Sequence, residues 1–95
     1  MGSLTLFGTI PTQFGNFYRL EDLQIQQNGF SGLLPSQLGN LVLLTNFDVS
    51  ANRLEGTLPT QIGNWIDISS FIADSNDFNG TIPTEVGSWS KAVLV

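Results

Sequence analysis

Residues 20–39 read LEDLQIQQNGFSGLLPSQLG, and the rest of the chain copies them. A shift of 24 residues returns the same punctuation: Asn28, Asn52 and Asn76; Gly8, Gly32, Gly56 and Gly80; Pro11, Pro35, Pro59 and Pro83; Gly15, Gly39, Gly63 and Gly87. No gap is needed to keep the register. A fixed period of this size marks a solenoid, in which each unit buries its apolar face against its neighbours and stability comes from stacking.

Each residue type in the unit has a separate task. Leu23 and Ile25 alternate with Asp22, Gln24 and Gln26, the period-two pattern of a strand with one dry and one wet face. The alternation returns at 46–50 and 70–74, so the strands are expected to stack in parallel as one sheet, with the other half of each unit as the return connection. Asn28, Asn52 and Asn76 follow the strand where the chain turns inward, and their amides are expected to satisfy backbone groups left unpaired by the turn. Leaving such a group unpaired in the interior costs about 1–3 kcal/mol. Phe30, Leu54 and Phe78 are expected to form an inward column. Gly32, Gly56 and Gly80 permit a backbone conformation or a close approach that a side chain obstructs. An extended segment is expected before Pro35, Pro59 and Pro83, because proline restricts the residue ahead of it. A short helical or 3₁₀ turn is expected around Leu38, Ile62 and Val86, with Phe17, Leu41, Trp65 and Trp89 leading back to the next strand.

Ninety-five residues divide into a partial unit over 1–19, units over 20–43, 44–67 and 68–91, and a remainder over 92–95. The expectation is a single domain that is a piece of a longer solenoid, with ends that another chain covers or that self-associate. Eight Asp and Glu against three Lys and Arg give a net charge of −5, which disfavours nucleic acid and anionic membrane surfaces as partners. No run of 18 apolar residues could span a bilayer, and Met1–Ile10 lacks the basic start and long apolar stretch of a signal peptide. The first six residues also fail the myristoylation pattern at Leu6. The chain has no Cys, which removes disulfides and thiolate metal sites and leaves the compartment open.

The unit Leu20-x-x-Leu23-x-Ile25-x-x-Asn28-x-Phe30-x-Gly32-x-Leu34-Pro35-x-x-Leu38-Gly39-x-Leu41 resembles the plant-type leucine-rich repeat. Phrases such as GTIPTQFGNF, GTLPTQIGNW and GTIPTEVGSW are similar to repeats of receptor-like kinase ectodomains and their secreted, algal or diatom relatives. The resemblance implies an α/β solenoid, a right-handed superhelix with a parallel sheet on its concave face and short extended or 3₁₀ segments on its convex face. It also implies a cell-surface or extracellular parent protein that binds proteins or peptides. The family's paired-cysteine cap, transmembrane helix and kinase domain do not occur in these residues. Trp65 and Trp89 stand where leucine is usual. Ala73 and Ala92 replace larger aliphatics and are expected to loosen the third strand and the chain end. Beyond Ser88 the pattern breaks down, and Lys91–Val95 reads as an altered end.

The wet face offers the columns Asp22, Asn46, Ser70; Gln24, Asp48, Ile72; Gln26, Ser50, Asp74; and Gln27, Ala51, Ser75. Asp22, Asp48 and Asp74 step one strand over and two residues along, about 8 Å apiece, too far to share one calcium ion. No metal or cofactor site is expected. The diagonal suits a basic or polyhydroxylated ligand lying obliquely across the sheet, and the candidate site is Asp22, Gln24, Gln26, Asn46, Asp48, Ser50, Ile72 and Asp74. The plainer alternative is a solvated face that keeps a structural or assembly module soluble.

Catalysis is the competing class. Without His or Cys there is no Ser-His or Cys-His pair. Asp48 and Asp74 have the separation of an inverting glycosidase pair, but an open, wet sheet is a poor setting for a general acid. The sequon Asn79-Gly80-Thr81 is a candidate glycan acceptor.

Overall fold

The computed structural model describes residues 5–89 and the backbone of 93–94. Eight short strands alternate with four 3₁₀ turns: β1 (Phe7–Thr9), β2 (Asp22–Gln24), β3 (Gly29–Gly32), β4 (Asn46–Asp48), β5 (Arg53–Gly56), β6 (Ser70–Ile72), β7 (Asp77–Phe78) and β8 (Val93–Leu94). They form two parallel sheets, β2-β4-β6-β8 and β1-β3-β5-β7. The chain is a solenoid of two parallel ladders joined by 3₁₀ turns. The first sheet is the concave face.

The concave sheet keeps step with the sequence. Asp22 lies beside Asn46 and Asn46 beside Ser70, one full period per strand. Backbone bonds prolong this ladder past the strands, from Ile25 N to Asp48 O (2.9 Å), Val49 N to Ile72 O (2.9 Å) and Ala51 N to Asp74 O (3.1 Å). Leu23, Phe47 and Phe71 are buried beneath it, as the alternation requires. The last step is different. Ser70 pairs with Val93, 23 residues on, so a short strand does follow the break in the pattern, one residue out of step. The expectation for Ala92 falls outside the described residues.

The second sheet lies where an extended segment was expected ahead of each proline, and its register is not the period. Phe7 pairs with Gly29, Ser31 with Arg53 and Glu55 with Asp77, each 22 residues apart. Neighbouring strands are thus offset by two residues from their repeat equivalents, about 7 Å at the rise of a strand. Gly32, Gly56 and Gly80 close these segments at φ of +78°, +76° and +76°, on the side of the map that side chains disfavour.

After each proline, held extended at ψ between 134° and 142°, a five-residue 3₁₀ turn follows over Thr12–Asn16, Ser36–Asn40, Thr60–Asn64 and Thr84–Ser88. The turns stack so closely that a Cβ on Gly39 would sit 2.7 Å from the carbonyl oxygen of Gln61 in the next unit. That spacing accounts for the glycine.

The core lies between the sheets and these turns, and it is completed in the middle of the coil. Leu38, Leu41, Leu44, Phe47, Val49, Leu54, Ile62 and Trp65 are fully buried, while Phe17, the counterpart of Leu41, is 57% exposed in the first unit. The two tryptophans in leucine positions extend the stack. The Trp65 ring lies 4.8 Å from Phe47 and 6.2 Å from Trp89, and each indole N–H donates to the preceding unit's 3₁₀ turn: Trp65 to Leu38 O (2.9 Å), Trp89 to Ile62 O (3.1 Å). An aromatic here buries area and adds a second donor to a carbonyl that already accepts a backbone N–H, Leu41 N to Leu38 O (3.1 Å) and Trp65 N to Ile62 O (3.1 Å).

Candidate concave recognition face

The asparagine column fixes the rim of the concave sheet. The Asn52 amide donates to Val49 O (2.9 Å), Ile25 O (3.1 Å) and Ser50 O (3.2 Å), and its oxygen accepts from the buried Phe30 N–H (3.1 Å). Asn76 does the same with Val49 O, Ala73 O, Asp74 O and Leu54 N–H. Asn28 binds Ile25 O, Gln26 O and Leu6 N–H. Each asparagine therefore ties the end of a concave strand to the second sheet, and each contact repeats along the coil. The residue ahead of it, Gln27, Ala51 or Ser75, has positive φ (59°, 57° and 59°). Nothing in the residue types signalled this, since only glycine and asparagine adopt such angles freely.

The candidate residues are positioned by this frame. Asp22 and Gln24 are exposed on β2, and Asn46 and Asp48 are half-buried on β4. The register places Gln24 beside Asp48 and Asp48 beside Ile72. Gln26, Ser50 and Asp74 continue past the strand ends. The side chains are organised along each strand. Gln24 Nε2 donates to both carboxylate oxygens of Asp22 (3.0 and 3.2 Å), and Gln26 Nε2 reaches Gln24 Oε1 (3.4 Å). One Asp48 oxygen accepts the Ser50 hydroxyl (2.6 Å) and the Ser50 N–H (3.0 Å). Gln26 Oε1 is shielded from solvent and has no hydrogen-bond partner. An unpaired, desolvated acceptor is costly unless a donor reaches it.

Asn79 lies elsewhere, beyond β7 on the opposite sheet, exposed, with its own N–H bound to Gly56 O (2.9 Å). A hollow of about 640 Å³, open to solvent, is lined by Asn16–Leu20. Among the described residues no three acidic side chains gather around a point where a metal ion could sit, and no helix is long and apolar enough to cross a membrane.

Comparison with known proteins agrees with this geometry. Residues 19–41 and 43–65 match the family model described as Leucine Rich Repeat. The chain belongs to the leucine-rich repeat family. Among solved structures, it is similar to a chain of the crystal structure of PEPR1–AtPEP1 (34% identity, TM-score 0.91, 96% of this chain and 13% of that one). It is also similar to the plant peptide hormone receptor RGFR1, solved in complex with RGF2 (31% identity, TM-score 0.86, 95% and 16%). A third similar structure is the ectodomain of the receptor kinase SOBIR1 from Arabidopsis thaliana (28% identity, TM-score 0.84, 95% and 49%). The chain thus spans only a small part of the first two and about half of the third. No curated protein sequence matches it.

Proposed function

We propose that the chain is a non-catalytic recognition module of a cell-surface or extracellular protein, and that its concave face binds an extended peptide or protein segment. The carrying observation is the set of acceptor groups that the register places side by side on the concave face, Asp22, Gln24 and Asp48, held in place by hydrogen bonds along each strand. A peptide N–H or a basic side chain is the complementary group. Asp22, Asp48 and Asp74 on the diagonal, and the net charge of −5, favour a basic ligand and speed its approach. The two strand steps from β2 to β6 cover about 10 Å, which an extended segment crosses in about three residues. The similarity to receptor ectodomains supports the extracellular setting, and the exposed Asn79 is proposed to carry a glycan there.

The test is binding of fluorescein-labelled peptides of positive, neutral and negative net charge, at low and high salt. Positive peptides are expected to bind preferentially, with affinity falling as salt rises, and the double variant Asp48→Lys, Asp74→Lys is expected to lose at least tenfold. Equal binding by the charge-reversed protein would refute the assignment. Carboxylate-dependent turnover of oligosaccharides would overturn the non-catalytic reading.

A further inference from the structure

On the flank of the coil, between each 3₁₀ turn and the next concave strand, the residue after Phe17, Leu41 or Trp65 turns outward and is apolar. Tyr18, Val42 and Ile66 are 60%, 43% and 63% exposed, and Leu43 beside Val42 is 42% exposed. Because Asp22, Asn46 and Ser70 are in register four residues later, these side chains form a straight row along the stacking direction. The next row is Arg19, Leu43 and Asp67: a cation at one end, an apolar residue in the middle, an anion at the other end. The Arg19 guanidinium lies 5.7 Å over the Tyr18 ring, which holds the charge against the apolar row.

We propose that this ridge binds a second copy of the chain about a two-fold axis running through Val42 and Leu43. A two-fold contact must be self-complementary, and the two rows meet that condition in one orientation. With the coils antiparallel, Tyr18 meets the other copy's Ile66, Val42 meets Val42, Leu43 meets Leu43, and Arg19 meets Asp67 twice. Parallel coils would oppose Arg19 to Arg19 and Asp67 to Asp67. Four apolar side chains from each copy make a contact smaller than a standard interface, so the association is weak, with Kd of about micromolar to millimolar. Both concave faces stay open.

Sedimentation equilibrium on the 95-residue chain tests this. The weight-average mass is expected to rise with concentration and to level at two chains. Arg19→Asp alone and Asp67→Arg alone are each expected to weaken association about tenfold, because each change opposes like charges at two places. The double variant restores the opposite-charge pairs and is expected to return within about threefold of the original. Val42→Glu, which sets two carboxylates against each other on the axis, is expected to abolish the dimer. Circular dichroism confirms that every variant is folded. A constant mass of one chain, growth beyond two chains that ignores Arg19→Asp, or a double variant as weak as the singles would each overturn the proposal.

Discussion

The two sheets meet the same conformational demand with different residues. Each concave strand leads into Gln27, Ala51 or Ser75 at φ near +58°, and each strand of the second sheet has a glycine at φ between +76° and +93° within it or just beyond it. The conformational demand is similar, and the surroundings decide who can meet it. Gln27, Ala51 and Ser75 are exposed at the rim, so a Cβ there costs only the intrinsic penalty of the left-handed region, about 1 kcal/mol. At Gly56 a Cβ would also run into the Leu33 side chain of the preceding unit, and at Gly80 it would sit 2.8 Å from Thr57 Cγ2. The second sheet brings successive backbones close and offset by two residues. The concave sheet keeps them in step and leaves its rim open to solvent.

The asparagines hold these two registers together, so the largest effect is expected from cutting that link. Asn52→Ala removes the donor to three carbonyls and the acceptor of the buried Phe30 N–H, a loss of about 3 kcal/mol in urea denaturation. Asn28→Ala acts at the first unit, where its partner Leu6 is exposed and water can replace the lost acceptor, so about 1 kcal/mol is expected. Equal losses at both positions would contradict the view that burial sets the value of each rung. Next comes Gly56→Ala, expected to cost about 2 kcal/mol from positive φ plus displacement of Leu33. Trimming Leu33 in the same chain, as Leu33→Ala, is expected to recover about half of that, since Leu33 is 62% exposed and its own burial contributes little.

How much of this was readable before the fold was known depends on whether a residue's task is local. Period-two alternation placed Leu23, Phe47 and Phe71 inside, and the recurring proline and glycine located the 3₁₀ turns, because these rules act within a few residues. The asparagine column was legible for the same reason. The offset of the second sheet was not: a gapless 24-residue period suggests that equivalent residues lie side by side, yet Ser31 faces Arg53 and not Glu55. The indole bonds of Trp65 and Trp89 were hidden for a related reason, since a departure from leucine does not disclose which carbonyl lies within reach. The register of the candidate face followed directly from the period. Its hydrogen bonds, from Gln24 to Asp22 and from Ser50 to Asp48, and the unpaired Gln26 Oε1, depend on side-chain rotamers that no spacing rule specifies.

The smallest expected effect is the sharpest test of the comparison between the two rims. Ala51 sits at φ 57° with its side chain exposed. Asparagine tolerates that conformation better than alanine and does not enlarge the unfolded ensemble as glycine does, so Ala51→Asn is expected to stabilise the fold by about 0.5 kcal/mol. Ala51→Val places a branched Cβ in the same conformation and is expected to cost about 1 kcal/mol or more. At Gly56 the order changes in a way that depends on space as well as φ: Gly56→Asn is expected to destabilise, because the Cβ meets Leu33 whatever the side chain beyond it. If asparagine stabilised both positions, close approach would play no part in the glycine column, and backbone conformation alone would explain both rims. Opposite signs at Ala51 and Gly56 would show that the concave rim has room for side chains where the second sheet has none, which is the property a recognition face requires.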